Sequence, residues 1–199
     1  MASKTPLLNR ELGILEFNSR VLAQAEDQNT PLLERLRFVC IVSSNMDEFF
    51  EIRMSGLKEQ LRDNPDNNTP DGLTIAEAYQ VVTEKAHALV GKKYELLQRD
   101  ILPKLEKEGI CFYSSEQWTT AQRNWAREFF QQELVPLLTP IALDPAHPFP
   151  KVINKSLNFF ITLEGKDAFG RSSELVVVQA PRSLPRVVPL PKHLSATPY

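Results

Sequence analysis

Residues 74–109 read TIAEAYQVVTEKAHALVGKKYELLQRDILPKLEKEG, and they spell one long amphipathic helix. Thr74-Ile75-Ala76-Glu77 has the form of a capping box, in which a Thr side chain and a Glu three residues on satisfy the first free amides. Apolar residues then recur at 75, 79, 82, 86, 90, 94, 97, 101 and 105, in steps of three and four. That spacing keeps one face apolar along the whole segment, so the helix must pack along its length. Gly109 suits the stop. Pro103 should kink the last turns or end them early, because it lacks an N–H and crowds the preceding turn.

Two more helices lie upstream. Asn9 can cap one over 9–26, with Leu12, Leu15, Val21, Leu22 and Ala25 at helical spacing. Thr30-Pro31 opens the next, with Thr as cap and Pro at the first helical position, running to about Leu61. Its middle, Phe38 to Val42, is apolar on every side, which predicts a central position. Residues 63–73 are turn chemistry throughout.

Composition changes near Gly109. Prolines become dense from Pro136, and β-branched runs appear. Ile110–Tyr113 reads as a short strand. Thr119-Thr120-Ala121-Gln122 is a second capping box, opening a helix to about Leu134 with Trp125 and Phe129 on one face. Strands are expected at Leu138–Leu143, Leu157–Leu163, Glu174–Ala180 and Arg186–Val188, with Lys166–Ser173 as a hairpin connection. The expected fold is an N-terminal all-α three-helix bundle, residues 1–109, followed by a truncated α+β domain, residues 110–199. The end at Tyr199, just past a proline-rich edge, reads as a cut inside a domain.

The 199 residues carry a formal net charge of −2, which says nothing of nucleic acid or membranes by itself. Residues 1–109 hold 14 Lys and Arg against 18 Asp and Glu; the remainder hold 9 against 7. No acid follows Glu174, whereas Arg182, Arg186 and Lys192 do, so this end either faces an anion or is ordinary solvated surface. Cys40 and Cys111 stand alone in apolar contexts and read as buried free thiols, neither a disulfide framework nor a zinc site. No basic start leads into an apolar run, and no run reaches membrane-spanning length, which points to the cytoplasm.

Chemistry-bearing motifs are sparse. The glycines are isolated, so no Gly-rich phosphate loop exists. No His, Cys, Asp and Glu set has metal-ligand spacing. His87 reads as a solvated or half-buried helix residue, and His193 stands alone. His147 has Asp144 three residues away, which would suit acid–base work or simply brace a proline-rich turn. The most informative stretch is Val42-Ser43-Ser44-Asn45-Met46-Asp47-Glu48-Phe49-Phe50, a polar patch in an otherwise apolar helix. Ser and Asn are mediocre helix formers, so propensity does not account for them. Asn45 offers a donor and an acceptor, the pair an adenine edge demands, and Phe49 one turn on could pack beside a base. A buried polar network tying helices together fits the same residues.

Asn9-Arg10-Glu11-Leu12, Leu15-Glu16-Phe17-Asn18, Asn29-Thr30-Pro31-Leu32-Leu33-Glu34-Arg35-Leu36 and Ser43-Ser44-Asn45-Met46-Asp47-Glu48-Phe49-Phe50 resemble the opening of the polyphosphate kinase family. Leu138-Thr139-Pro140-Ile141-Ala142-Leu143-Asp144-Pro145-Ala146-His147-Pro148-Phe149-Pro150 and Ser156-Leu157-Asn158 resemble its next domain. The resemblance implies a helical domain that forms the adenine-side wall of an ATP site, with Asn45 as the ATP-binding residue. It implies a head domain that supports dimerisation and borders a polyphosphate tunnel. The family's reaction moves the terminal phosphate of ATP onto polyphosphate, reversibly, through a phosphohistidine, with Mg2+ in the full-length enzyme. By that resemblance the partners are ATP or ADP, polyphosphate and a second copy through the head domain. Nucleic acid is not among them, and membrane association is peripheral at most. No catalytic or metal-binding residue is assigned here, because the phosphohistidine and the magnesium-linked arginines belong to later domains and His147 does not match their motif. The family usually has Ser-Trp after Glu-Leu in the first helix; Gly13-Ile14 stand there instead, which should alter packing near the base. Against the kinase reading stand a non-enzymatic helical protein-interaction module and a self-contained enzyme built on His147 and Asp144.

The chain by itself is therefore expected to be inactive. Incubation with ATP, magnesium and a polyphosphate primer should give no turnover above a buffer blank. Turnover abolished by His147→Ala would overturn that expectation.

Overall fold

The computed structural model describes residues 7–143, 148–165 and 175–195. The chain forms two compact units, Met1–Phe112 and Tyr113–Tyr199.

The first unit consists of three helical rods. The first is α1, Arg10–Glu26, capped by Asn9, whose side chain accepts from the Leu12 N–H at 3.0 Å. The second joins α2, Leu32–Glu48, through a π turn, Phe49–Met54, to α3, Ser55–Asp63. The third joins α4, Ile75–Leu96, through a π turn, Leu97–Ile101, to α5, Leu102–Lys107. The three-helix expectation holds.

Details differ at the helix starts and at Pro103. The capping box at Thr74 and Glu77 is formed in full. Pro31 stands at the N-cap position and no side chain caps α2, so Thr30 does not take the role expected of it. Pro103 does not end the third rod. The wide turn before it, in which the Leu102 N–H reaches back to the Leu97 carbonyl, accommodates the ring, and the rod continues to Lys107. It then stops in a Schellman motif. Gly109, at φ 84°, donates to the Glu106 carbonyl at 3.0 Å, and the Ile110 N–H reaches the Leu105 carbonyl at 2.8 Å. Ile110–Tyr113 is consequently irregular, not a strand.

The buried stripes define the core. On α1 they are Leu15, Asn18, Leu22 and Ala25; on the second rod Arg35, Val39, Val42, Met46 and Phe49, then Met54 and Leu57. The step of five between Phe49 and Met54 is the π turn, which inserts one residue into the stripe. On α4 the stripe runs Ile75, Ala78, Val82, Ala86, Leu89 and Lys93. Tyr94, expected inside, is half exposed, and Lys93 is inside instead. The middle of α2 is not apolar-packed all round: Val39 and Val42 are buried, while Ile41 and Cys40 face out. In a three-rod unit each rod has two neighbours, so α2 packs on α1 and α4 and keeps one side wet. Cys111 is half-buried, so neither thiol is a core residue. His87 is exposed, one of the two placements foreseen for it.

Arg35 anchors this unit. Its Nε donates to the Ala25 carbonyl at 2.6 Å, its Nη1 to Gln28 at 3.1 Å, and its Nη2 pairs with Asp100. Lys104 holds the other Asp100 oxygen at 2.6 Å. One carboxylate, inside the π turn of the third rod, thus ties that turn to Arg35 on the second rod and to Lys104 on α5.

In the second unit, α6, Thr120–Phe129, begins at the expected capping box and continues through a π turn, Phe130–Leu134, and a 3-10 turn, Val135–Leu137. Trp125 and Phe129 stack with ring centroids 5.3 Å apart. The buried Gln122 side chain donates to the Leu194 carbonyl at 2.9 Å. Three short strands, β1 Pro140–Ala142, β2 Asn158–Thr162 and β3 Leu175–Gln179, form an antiparallel sheet in the order β1-β3-β2. Phe160 lies opposite Val177, and Ile141 opposite the same residue from the other side. Arg186–Val188, expected as a strand, is irregular. The expected hairpin connection, Lys166–Ser173, lies outside the described residues.

Removing Arg35 leaves a buried carbonyl and a carboxylate short of a donor, so Arg35→Ala should lower the stability of the helical unit by about 3 kcal/mol in denaturant titration. The Lys104 ammonium and then the Arg35 guanidinium hold the Asp100 carboxyl well below the usual carboxylate range. A lowered folded-state pKa stabilises above the unfolded value of about 3.9, and the contribution is lost as pH falls from there. Asp100→Asn should flatten the acid limb of stability below about pH 4.

Candidate functional site

Asn45 lies on α2, and its side-chain amide meets α1. Asn18, 1% exposed, falls on the buried stripe of α1 between Leu15 and Leu22. Its Nδ2 donates to the Ile14 carbonyl at 3.0 Å. A carbonyl can only accept, so this bond turns the Asn18 Oδ1 away from Ile14 and toward α2. There it accepts from the Asn45 Nδ2 at 2.8 Å. Asn45 has one N–H occupied in this way. Its second N–H and its Oδ1 have no protein partner among the described residues.

These groups border a cleft of about 270 Å3 between α1 and the second rod, lined by Ile14, Phe17, Asn18, Asn45, Glu48, Phe49, Ile52 and Arg53. Ligand pockets for drug-sized molecules start near this volume, so the cleft suits a base rather than a whole nucleotide. Phe49 is 2% exposed and belongs to the core, so it is not the free aromatic expected beside Asn45. Phe17, 51% exposed, offers that face from α1, with the Arg20 guanidinium 5.9 Å from its ring centroid. Ile14 lines the cleft from α1. The π turn brings Ile52 and Arg53 to the same wall.

The other polar residues of the patch do different things. Ser43 accepts from the Lys93 Nζ at 3.0 Å, and Lys93 also sits 4.1 Å from the Tyr94 ring centroid. Ser44 and Glu48 are exposed. A larger hollow, about 410 Å3, lies beside Gln28–Leu32 and Lys104–Glu108. Its Arg35 and Lys104 groups are engaged by Asp100 and Gln28.

No three His, Cys, Asp or Glu residues are grouped as metal ligands among the described residues. Asp144 and His147 lie outside those residues. No helix is long and apolar enough to cross a membrane among the residues described. Arg182 donates to the Asn154 carbonyl at 2.9 Å.

The fold and cleft define an all-helical domain with a polar, base-sized site, followed by an α+β domain. The family model for the polyphosphate kinase N-terminal domain matches residues 7–113, and that for the polyphosphate kinase middle domain matches residues 121–198. The chain belongs to the polyphosphate kinase family. A polyphosphate kinase of Burkholderia multivorans is 62% identical over 195 residues, 98% of this chain and 28% of that protein. That of Paraburkholderia phytofirmans is 59% identical over 199 residues, 100% of this chain and 29% of that protein. The crystal structure of a polyphosphate kinase from Porphyromonas gingivalis superposes with a TM-score of 0.71 at 27% identity, covering 95% of this chain and 27% of that one. The chain thus spans under a third of the length of the relatives it matches.

Asn18 and Phe17 were missed as site residues in the sequence. The signal for Asn18 was present: a polar residue in the step 15, 18, 22, 25 of a buried stripe. Phe17 carries no such signal. Asn45→Ala removes the donor to Asn18 Oδ1, and should lower the melting temperature by an amount equivalent to about 1 kcal/mol.

Proposed function

We propose that this chain is the N-terminal part of an enzyme that transfers the terminal phosphate of ATP to polyphosphate, reversibly, through a phosphohistidine. The helical unit forms the adenine-side wall of the ATP site. The α+β unit contributes to dimerisation and borders the polyphosphate path. The phosphohistidine and magnesium belong to the whole cytoplasmic enzyme, and no step through them is assigned to these residues. Family membership speaks against a stand-alone helical interaction module.

The observation that carries this reading is the half-used amide of Asn45 on a base-sized cleft. An acceptor beside a donor matches the N6 amine and adjacent ring nitrogen of adenine. Phe17 offers apolar packing for the ring. The base is remote from the transferred phosphate, so its contacts bind ground state and transition state alike.

In the full-length kinase, Asn45→Ala should raise the KM for ATP several-fold, equivalent to about 1 kcal/mol, with kcat little changed. An unaltered KM beside reduced stability would make Asn45 a packing residue and refute the contact.

A further inference from the structure

We infer that Asn18 is a positioning residue for nucleotide choice: by holding the Asn45 amide in one of its two orientations, it makes the cleft accept adenine and reject guanine. This rests on the reading that Asn45 contacts the base. Asn18 itself is buried and lies one hydrogen bond behind Asn45.

The argument follows the hydrogen-bond directions. An isolated Asn amide can rotate by half a turn at little cost, exchanging its oxygen and nitrogen. Here it cannot do so freely. The Ile14 carbonyl accepts from Asn18 Nδ2, which leaves the Asn18 Oδ1 facing α2. An oxygen there requires a donor from Asn45, and Nδ2 supplies it. A flipped Asn45 would set two oxygens against each other at 2.8 Å with no proton between them. Two links, neither reversible, therefore leave Oδ1 and one N–H of Asn45 for the base.

That fixed order is selective. Adenine presents a donor, the N6 amine, beside an acceptor, N1. In the same pose guanine presents an acceptor, O6, beside a donor, N1–H. Adenine meets Oδ1 and Nδ2–H with complementary partners. Guanine meets them with like against like, and leaves desolvated polar groups unpaired. A flipped amide would reverse the preference, so selectivity depends on what stops the flip.

The test compares ATP and GTP as phosphate donors for the full-length kinase, in Asn18→Leu, Asn18→Asp, Asn45→Ala and Asn18→Leu/Asn45→Ala. Leu fills the Asn18 volume but gives Asn45 no acceptor. Asp keeps an oxygen facing Asn45. Asn18→Leu should lower the ATP-over-GTP ratio of kcat/KM several-fold, through KM, with kcat for ATP unchanged. Asn18→Asp should keep the ratio even where its melting temperature falls. Asn45→Ala should also lower the ratio, and adding Asn18→Leu to it should lower the ratio no further. A wild-type ratio in Asn18→Leu beside a lowered one in Asn45→Ala refutes the positioning role and leaves the base contact standing. A wild-type ratio in Asn45→Ala removes the base contact, and the role of Asn18 with it.

Discussion

Arg35, 2% exposed where the three helical rods meet, is the constraint on which the helical unit depends. Arg35 can be buried only where a carbonyl and a carboxylate meet it, and these come from the end of α1 and from the π turn of the third rod. That requirement sets how far each rod slides along the others. Asn45 lies ten residues further along the same helix, roughly 15 Å away at the helical rise. Its meeting with Asn18 on α1 is therefore the second of two polar locks between the same pair of helices. Apolar stripes alone would tolerate slippage by a turn; two directional contacts at this separation do not.

Each rod carries one polar residue in its buried stripe: Asn18, Arg35 and Lys93. Each finds a partner on another rod, Asn18 and Lys93 on α2 and Arg35 on α1 and the third rod. Lys93 is the plainest example, because burial of its stem against the core leaves the ammonium Ser43 Oγ and the Tyr94 ring face as its partners among the described residues. Such groups add little net stability against well-packed apolar residues, but they penalise every wrong alignment. Register is the property a cleft between helices needs most, since both of its walls must arrive at the same height.

Much of this organisation was legible in the sequence. Helical periodicity located the three rods, and the Thr74 and Thr119 boxes marked two helix starts correctly. Asn45 stood out as polar in an apolar helix. What periodicity could not show was rotation: neighbouring residues sit about 100° apart around the helix, so the facing of the rod decides whether Tyr94 or Lys93 lies inside, and only the neighbouring helix settles it. The π turns were illegible for the same reason, since the extra residue between Phe49 and Met54 disturbs a stripe without leaving a composition mark. Short apolar runs misled most. Ile110–Tyr113 resembles a strand locally, yet no strand among the described residues pairs with it.

The sheet of the second unit has one well-covered strand and two that are not. β3 is buried on both faces at Val176, Val177 and Val178, while β2 exposes Phe159, Phe160 and Ile161. Successive strand residues point to opposite faces, so this exposure is two-sided, and β2 also stands at the edge of its sheet. Asn158 to Leu163 contains no charge and no proline. Such an edge is adhesive, with edge backbone groups and half-exposed aromatic rings presented together. The colloidal behaviour of the isolated unit will be governed by these six residues more than by its overall charge.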